Sequence, residues 1–244
     1  MKKVGLTILV VVLCISSCKK ENMCDCFKST GEITTEDRTA EPFSSIYLSD
    51  NVNLFLTRDS VFKVKVVAGK NLLPLIKTEV QDGSMHISND NKCNWVRSYK
   101  PKVNVYVSMP SLLYIEYTGC GNISMLNTFT GDSIYFDTKN GSGTVDLDLN
   151  MRVCYLIINT GPLDVNVKGQ ASELQLYYIG TGMIHCENFA TNYTYITHKS
   201  TGNCYINVRD LLIYHISWTG NIYYTGNPPQ IQGENTGSGT IIPF

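Results

Sequence analysis

The chain has 244 residues, a formal net charge of −1 and 17% charged residues. That balance carries no basic footprint of a nucleic-acid-binding protein and no polybasic surface for an anionic membrane. The length allows one or two domains with a sizeable core. Fifteen tyrosines, many Asn, Thr, Ser and Gly, and recurrent apolar/polar alternation point to β structure.

The first residues have the form of a targeting segment. Lys2 and Lys3 make a basic start, and Leu6 to Ile15 is an apolar stretch too short to span a bilayer. Ile15-Ser16-Ser17-Cys18 resembles a bacterial lipobox, which implies cleavage before Cys18 and diacylglycerol on its sulfur. Two or three acyl chains anchor a protein stably where one does not. The alternative is a plain secretory peptide. Lys19 is not an inner-membrane retention aspartate, so an outer-membrane lipoprotein is expected, on the periplasmic face or the cell surface. Residues 1–17 are then the signal peptide and 18–41 the anchor and tether.

Nine cysteines become seven once Cys14 leaves with the signal and Cys18 is lipidated, an odd number for an oxidising compartment. Cys24 and Cys26 are candidates to pair with Cys93, and the spacing does not fix that pairing. Cys186 and Cys204 fall on expected inward positions, and Cys154 in a second strand segment, where a free thiol acts as a small buried hydrophobe. A zinc site combining these with His185 and His198 matches no compact ligand spacing, and no metal or other cofactor is expected.

In the tether a strand is expected near Gly31 to Thr35. Residues 42–117 alternate in short runs: Phe43 to Leu48, Val52 to Leu56, and Phe62 to Val66 with lysines facing water. Asn71 to Lys77 breaks the alternation and suits one helical turn, with Asn71 as cap and Pro74 early. Thr78–Val80 and Met85–Ile87 flank Gln81-Asp82-Gly83 as a hairpin. A polar loop with Cys93, Trp95 and Tyr99 precedes Lys102 to Ser108, and Leu113 to Tyr117 leads into a repeated glycine word.

That word recurs as Thr118-Gly-Cys-Gly-Asn-Ile123, Asn140-Gly-Ser-Gly-Thr-Val145, and on through Asn235-Thr-Gly-Ser-Gly-Thr-Ile241. Its marker glycines, Gly121, Gly143, Gly161, Gly182, Gly202, Gly220 and Gly239, are 22, 18, 21, 20, 18 and 19 residues apart. A near-fixed period of this size marks a repeat fold whose units bury their apolar faces by stacking. Each repeat has two strand segments and two turns, the plan of one coil of a β-solenoid. Seven such coils, at about 4.8 Å per rung, give a rod on the order of 30 Å long. Glycine at the corners permits positive φ and close approach of successive backbones, while Asn and Thr beside it hydrogen-bond between coils. An antiparallel sandwich is the competing fold.

Arg38-Thr-Ala-Glu-Pro-Phe43-Ser-Ser-Ile46, Ala68-Gly-Lys-Asn71-Leu-Leu-Pro-Leu-Ile76 with Thr78-Glu-Val80, Asp82-Gly83, and Val103-Asn-Val-Tyr-Val107 with Met109-Pro-Ser-Leu112 lead in order into the glycine repeats. Over roughly residues 29 to 244, this set resembles the putative auto-transporter adhesin, head GIN domain family. The resemblance implies a right-handed β-helix-like domain on secreted or lipid-anchored proteins of Bacteroidetes-type bacteria, and it brings no catalytic residues. Residues 42–117 are its N-terminal β region, packed on or continuous with the solenoid at 118–244.

For chemistry, Asp146, Asp148 and Asp164 are expected to face outward, with Asp146 and Asp164 one rung apart. Paired carboxylates suit acid/base catalysis or calcium in a polysaccharide-cleaving β-helix, with Lys168 and Arg152, placed on turns, as the nearest bases. The competing reading is solvated acids on an exposed sheet. No serine or histidine sits in a nucleophilic arrangement, and the Gly-x-Gly words precede no helix that would make a phosphate cradle. Tyr205 and Tyr223 are expected outward beside His185, and Tyr135, Tyr155, Tyr177 and Tyr214 outward on the second strands. Such tyrosines suit recognition of a glycan or protein ligand, self-stacking as structure, or burial between copies. The expected protein is a non-catalytic, lipid-anchored envelope solenoid used for adhesion or binding. The rivals are a polysaccharide-active enzyme and an envelope protein that self-assembles through its uncovered last coil.

Overall fold

The computed structural model describes residues 29–92 and 102–244, which leaves the lipobox, Cys24, Cys26 and Cys93 outside the described residues. Alternation in the sequence becomes seventeen strands in one continuous hydrogen-bonded ladder wrapped around a core. Short strands come first: β1 (Ile33–Arg38), β2 (Ser45–Leu48), β3 (Asn53–Arg58), β4 (Lys63–Gly69), β5 (Ile76–Gln81), β6 (Ser84–Asn89), β7 (Asn104–Met109), β8 (Tyr114–Tyr117) and β9 (Ile123–Met125). Longer strands then bend around a corner: β10 (Phe129–Thr138), β11 (Gly143–Ile158), β12 (Leu163–Tyr178), β13 (Ile184–His198) and β14 (Cys204–Ile216). At the C-terminal end come β15 (Ile222–Thr225), β16 (Gln230–Asn235) and β17 (Ile241–Pro243), with β17 one rung beyond β15.

Successive coils pair in parallel, and their registers stack identical phases. On the first face one inward column runs Val105, Leu54, Ile123, Val145, Val165, Ile184, Cys204, Ile222 and Ile241. On the second it runs Met85, Ile46, Ile115, Phe136, Leu156, Leu176, Ile196 and Tyr214, ending over Gly233. Nearly all of these side chains are fully buried. The chain forms a β-solenoid as the spacing predicts, with the seven glycine corners bounding six turns rather than the seven coils expected, and the sandwich is ruled out by the parallel pairing.

The N-terminal region is continuous with the solenoid, by a route the sequence does not show. The coil β2–β3 lies between β6–β7 on one side and β8–β9 on the other, so Asn53 pairs with Asn104, 51 residues on. Beyond β6 and β7 the direction reverses. Strand β5 lies antiparallel on β6, β4 antiparallel on β7, and β1 antiparallel on β4. These strands cover the end of the parallel stack and bring part of the expected tether into the fold. The β5–β6 hairpin turns through Asp82 and Gly83, both at positive φ, as read. The helical turn is a 3₁₀ turn at Leu73–Leu75 capped by Leu72. Asn71 is instead drawn to the N-terminal segment, where its Nδ2 donates to the Ser29 carbonyl at 3.0 Å.

Corner glycines are required chiefly by contact. A Cβ on Gly202 would lie 1.9 Å from the carbonyl oxygen of Gly182, the same corner one coil back. Gly161 combines such contact with a φ of +101°. Beside the corners an amide ladder links the rungs. Asn53 Nδ2 donates to Asn104 Oδ1 at 2.9 Å, and the Asn122 N–H donates to Asn53 Oδ1 at 3.0 Å. At the other end the Asn221 N–H donates to Asn203 Oδ1 at 3.0 Å, and the Thr240 N–H to Asn221 Oδ1 at 2.9 Å. The three bonds from Asn122, Asn221 and Thr240 satisfy backbone donors that a corner would otherwise leave open, and the Asn53–Asn104 bond joins side chains of adjacent rungs. Among the described residues, no helix is long and apolar enough to cross a membrane.

Candidate functional site

Because side chains alternate across a strand, every inward column has an outward counterpart on one of the two outer faces of the rod. On the second face the outward column runs Tyr114, Tyr135, Tyr155, Gln175, Tyr195 and Ile213. The rings of Tyr135 and Tyr155 stack at 4.0 Å with 4° between planes, and Tyr135 is 39% exposed. The next column carries Asp137, Ile157, Tyr177, Thr197 and His215. Lys199 Nζ lies 5.6 Å from the Tyr177 ring centre, a cation–π contact. Tyr155, Gln175, Tyr177, Tyr195 and Ile213 line a shallow groove of about 490 Å³ between these columns.

Tyr114, Tyr193 and Tyr195 join this face although the sequence reading did not single them out. Period-2 alternation contains their direction, but their neighbours in the column depend on register between coils. Toward the N-terminal end, Tyr47 stacks on His86 at 4.8 Å and tilts against Tyr114 at 5.7 Å. The Tyr114 hydroxyl is pushed up in pKa by burial, and further by Asp137 and Glu116.

Tyr214 is a correction. It occupies the inward column between Ile196 and Gly233 and packs against the core. The run Leu211-Leu-Ile-Tyr214 is apolar throughout and gives no phase. Gly233, with no side chain, makes room for the ring in the next coil.

On the first face the outward column runs Tyr106, Phe55, Ser124, Asp146, Asn166, His185, Tyr205 and Tyr223. Phe55 and Tyr106 stack at 4.7 Å. His185, Tyr205 and Tyr223 form a continuous stack, with spacings of 5.1 and 4.8 Å and planes within 1° and 11°. Phe244 meets both tyrosines edge-on. Tyr205 and Tyr223 therefore stand where the sequence puts them, beside His185.

The carboxylates do not assemble as expected. Asp146 lies in register with Asn166, and Asp164 with Thr144, so the two acids sit in different columns. Asn166 Nδ2 donates to Asp146 Oδ1 at 2.8 Å. Asp164 serves the corner ladder, its Oδ1 accepting from the Met183 N–H at 2.8 Å. Lys168 pairs with Asp148 at 3.1 Å, and Arg152 grips Asp132 through bonds of 2.6 and 2.9 Å. Both bases lie within strands β12 and β11 rather than on turns. Their partners, one rung away, account for them as links between coils.

Cys154, Cys186 and Cys204 are buried free thiols. Burial pushes the Cys154 thiol up to about 12 and raises the other two as well. His198 is buried inside the solenoid and His185 lies outside, so no shared metal site joins them. Among the described residues, no three His, Cys, Asp or Glu side chains could hold a metal ion.

Parallel coils, corner glycines and outward aromatic columns together define a β-solenoid with two outer faces. The family model described as putative auto-transporter adhesin, head GIN domain matches residues 42–228, and the chain belongs to that family. A solved putative adhesin from Bacteroides fragilis has 24% identity and a TM-score of 0.81, over 87% of this chain and 97% of its own. A putative lipid binding protein from Parabacteroides distasonis has 15% identity and a TM-score of 0.68, over 88% of this chain and 98% of its own. A putative adhesin from Parabacteroides merdae has 20% identity and a TM-score of 0.62, over 88% and 98%. These likenesses show the same fold. No curated protein matches the chain.

Proposed function

We propose that the protein is a non-catalytic adhesin of the bacterial cell envelope, held to the outer membrane by lipid on Cys18, that recognises a glycan or protein ligand through its outward aromatic columns. The observation that carries this reading is the second face. There, Tyr135, Tyr155, Tyr177 and Tyr195 stand in adjoining columns on a sheet with few charges, offering rigid amphipathic rings at low entropic cost. The membership of an adhesin family supports it. The absence of catalysis is supported by the separation of Asp146 from Asp164 into different columns and by the contacts between coils that occupy Asp164, Lys168 and Arg152. The lipid anchor rests on the lipobox resemblance alone.

The test is adhesion of cells displaying the protein to glycan- and protein-coated surfaces. The reading expects adhesion that falls when Tyr135 and Tyr155 are both replaced by Ala. It expects release of the protein from the membrane fraction on Cys18→Ser. Adhesion unchanged by the tyrosine replacements, or polysaccharide cleavage by the purified protein, would contradict it.

A further inference from the structure

On the first face the register between coils is interrupted at β13. Between β12 and β13 the register slips between Asn166 and Lys168, and between β13 and β14 it slips again between Cys186 and Ala190. Against β12 one residue is extra, and against β14 Glu187, Asn188 and Phe189 all are, which bulges the strand; Phe189 turns into the core, while Asn188 is exposed. Bulges of this kind re-aim side chains at functional places. Here the result is a groove of about 400 Å³, within the size range of small-ligand sites, lined by Asp146, Asn166, Lys168, His185, Glu187 and Asn188.

The chemistry of that lining is specific. His185 is held by the ring stack with Tyr205 on one side, while its other face turns toward the rung of Asn166, which carries no ring. The ring is fixed from the side as well, with Nδ1 3.2 Å from Glu187 Oε1. Glu187 Oε2 is buried and has no partner, so this carboxylate is not fully satisfied within the fold. Around the ring, whose side chain is 34% exposed, the groove is lined by the amides of Asn166 and Asn188 and the carboxylates of Asp146 and Glu187. Amides and carboxylates together match vicinal hydroxyls, which both donate and accept, and a ring face matches the apolar C–H face of a pyranose. Lys168 is paired with Asp148, so the unpaired charge in the groove is negative and disfavours an acidic ligand.

We propose that this groove is a subsite for a neutral pyranose unit of a glycan, with the sugar packed on His185 and its hydroxyls held by Asn166, Asn188, Asp146 and Glu187. The proposal rests on the adhesin reading and narrows its ligand, placing one contact on the face opposite Tyr135 and Tyr155.

Titration calorimetry of the full-length protein with a panel of neutral hexose oligosaccharides and matched uronic-acid oligosaccharides tests it. Neutral oligosaccharides are expected to bind, and Asn188→Ala, a change at an exposed side chain, is expected to weaken binding by about tenfold. Asn166→Ala is expected to do the same, and Lys63→Ala, a change at an exposed residue of β4, to leave this binding unchanged, with circular dichroism confirming an intact fold. Binding lost only with Tyr135→Ala, or binding confined to acidic oligosaccharides, overturns the subsite and leaves the adhesin reading standing. Failure to bind any oligosaccharide overturns the subsite, and loss of cell adhesion as well overturns both.

Discussion

Replacing Gly182 by Ala probes whether the glycine ladder is corner geometry. A Cβ there would lie 2.0 Å from the Leu163 carbonyl oxygen and 2.4 Å from its carbon, on the coil beneath. Ordinary contact is about 3.5 Å, and the obstructing atoms are backbone, so relief requires the two rungs to part. The hydrogen bonds flanking the corner, Thr181 N–H to the Gly161 carbonyl and Val165 N–H to the Met183 carbonyl, are both 2.9 Å and would stretch. Overpacking of about 1–3 kcal/mol and weakening of one or two bonds worth about 1 kcal/mol each give a loss near 3 kcal/mol. For a chain of this size that is a fall in Tm of roughly 6–12 °C. Gly131→Ala is the control, because its nearest neighbour is Met151 Sδ at 3.5 Å; it should be neutral, or stabilising by about 0.4–1 kcal/mol through the unfolded chain. Gly83 has open space but a φ of +72°, so Gly83→Ala should cost about 1–2 kcal/mol from backbone conformation alone. Urea denaturation followed by circular dichroism ranks the three. Equal midpoints for Gly182→Ala and Gly131→Ala would refute the contact argument.

The amide ladder predicts that Asn221→Ala, which strips the acceptor from the Thr240 N–H, costs about 1 kcal/mol in the same assay; no change would mean that water replaces it. His198 is buried with both ring nitrogens lacking partners, and burial lowers its pKa. The unfolded chain gains a proton below about pH 6.5 that the fold resists, so this contribution is fully present above that pH and is lost as the pH falls through the lowered pKa. His198→Leu should flatten that part of a stability profile between pH 7.5 and 5, and an unchanged slope would assign it to other groups. Thiol labelling read peptide by peptide should modify exposed Cys120 in the folded protein while sparing Cys154, Cys186 and Cys204 until denaturant is added. Labelling of the buried three at the rate of Cys120 would contradict the inward packing.

Period and alternation are local signals, and they survive into the fold. The glycine spacing marks the coils, and the phase of Val145-Asp-Leu147-Asp-Leu149 correctly places the aspartates outside. What depends on pairing across coils is less legible. Asp146 meets Asn166 rather than Asp164 because the register is set by stacking of whole strands, which residue spacing approximates only to within a column. The passage of β2–β3 between two later coils leaves no local trace in the sequence, so the contact of Phe55 with Tyr106 does not emerge from it. Tyr214 fails for another reason: four apolar residues in a row carry no alternation, and the deciding residue, Gly233, lies on the next coil. The bulge at Glu187 to Phe189 shows up only as unequal spacing, among intervals that vary from 18 to 22 residues in any case.

The central claim is that outward aromatic columns on a rigid solenoid bind a partner. Side-by-side measurement of ligand-coated surface binding by the full-length protein and by its Tyr135→Ala/Tyr155→Ala variant, each shown to be folded, tests it most directly. The account predicts that the variant keeps its fold and loses binding by about tenfold or more, as expected for central aromatic anchors. Equal binding by the two proteins would contradict it.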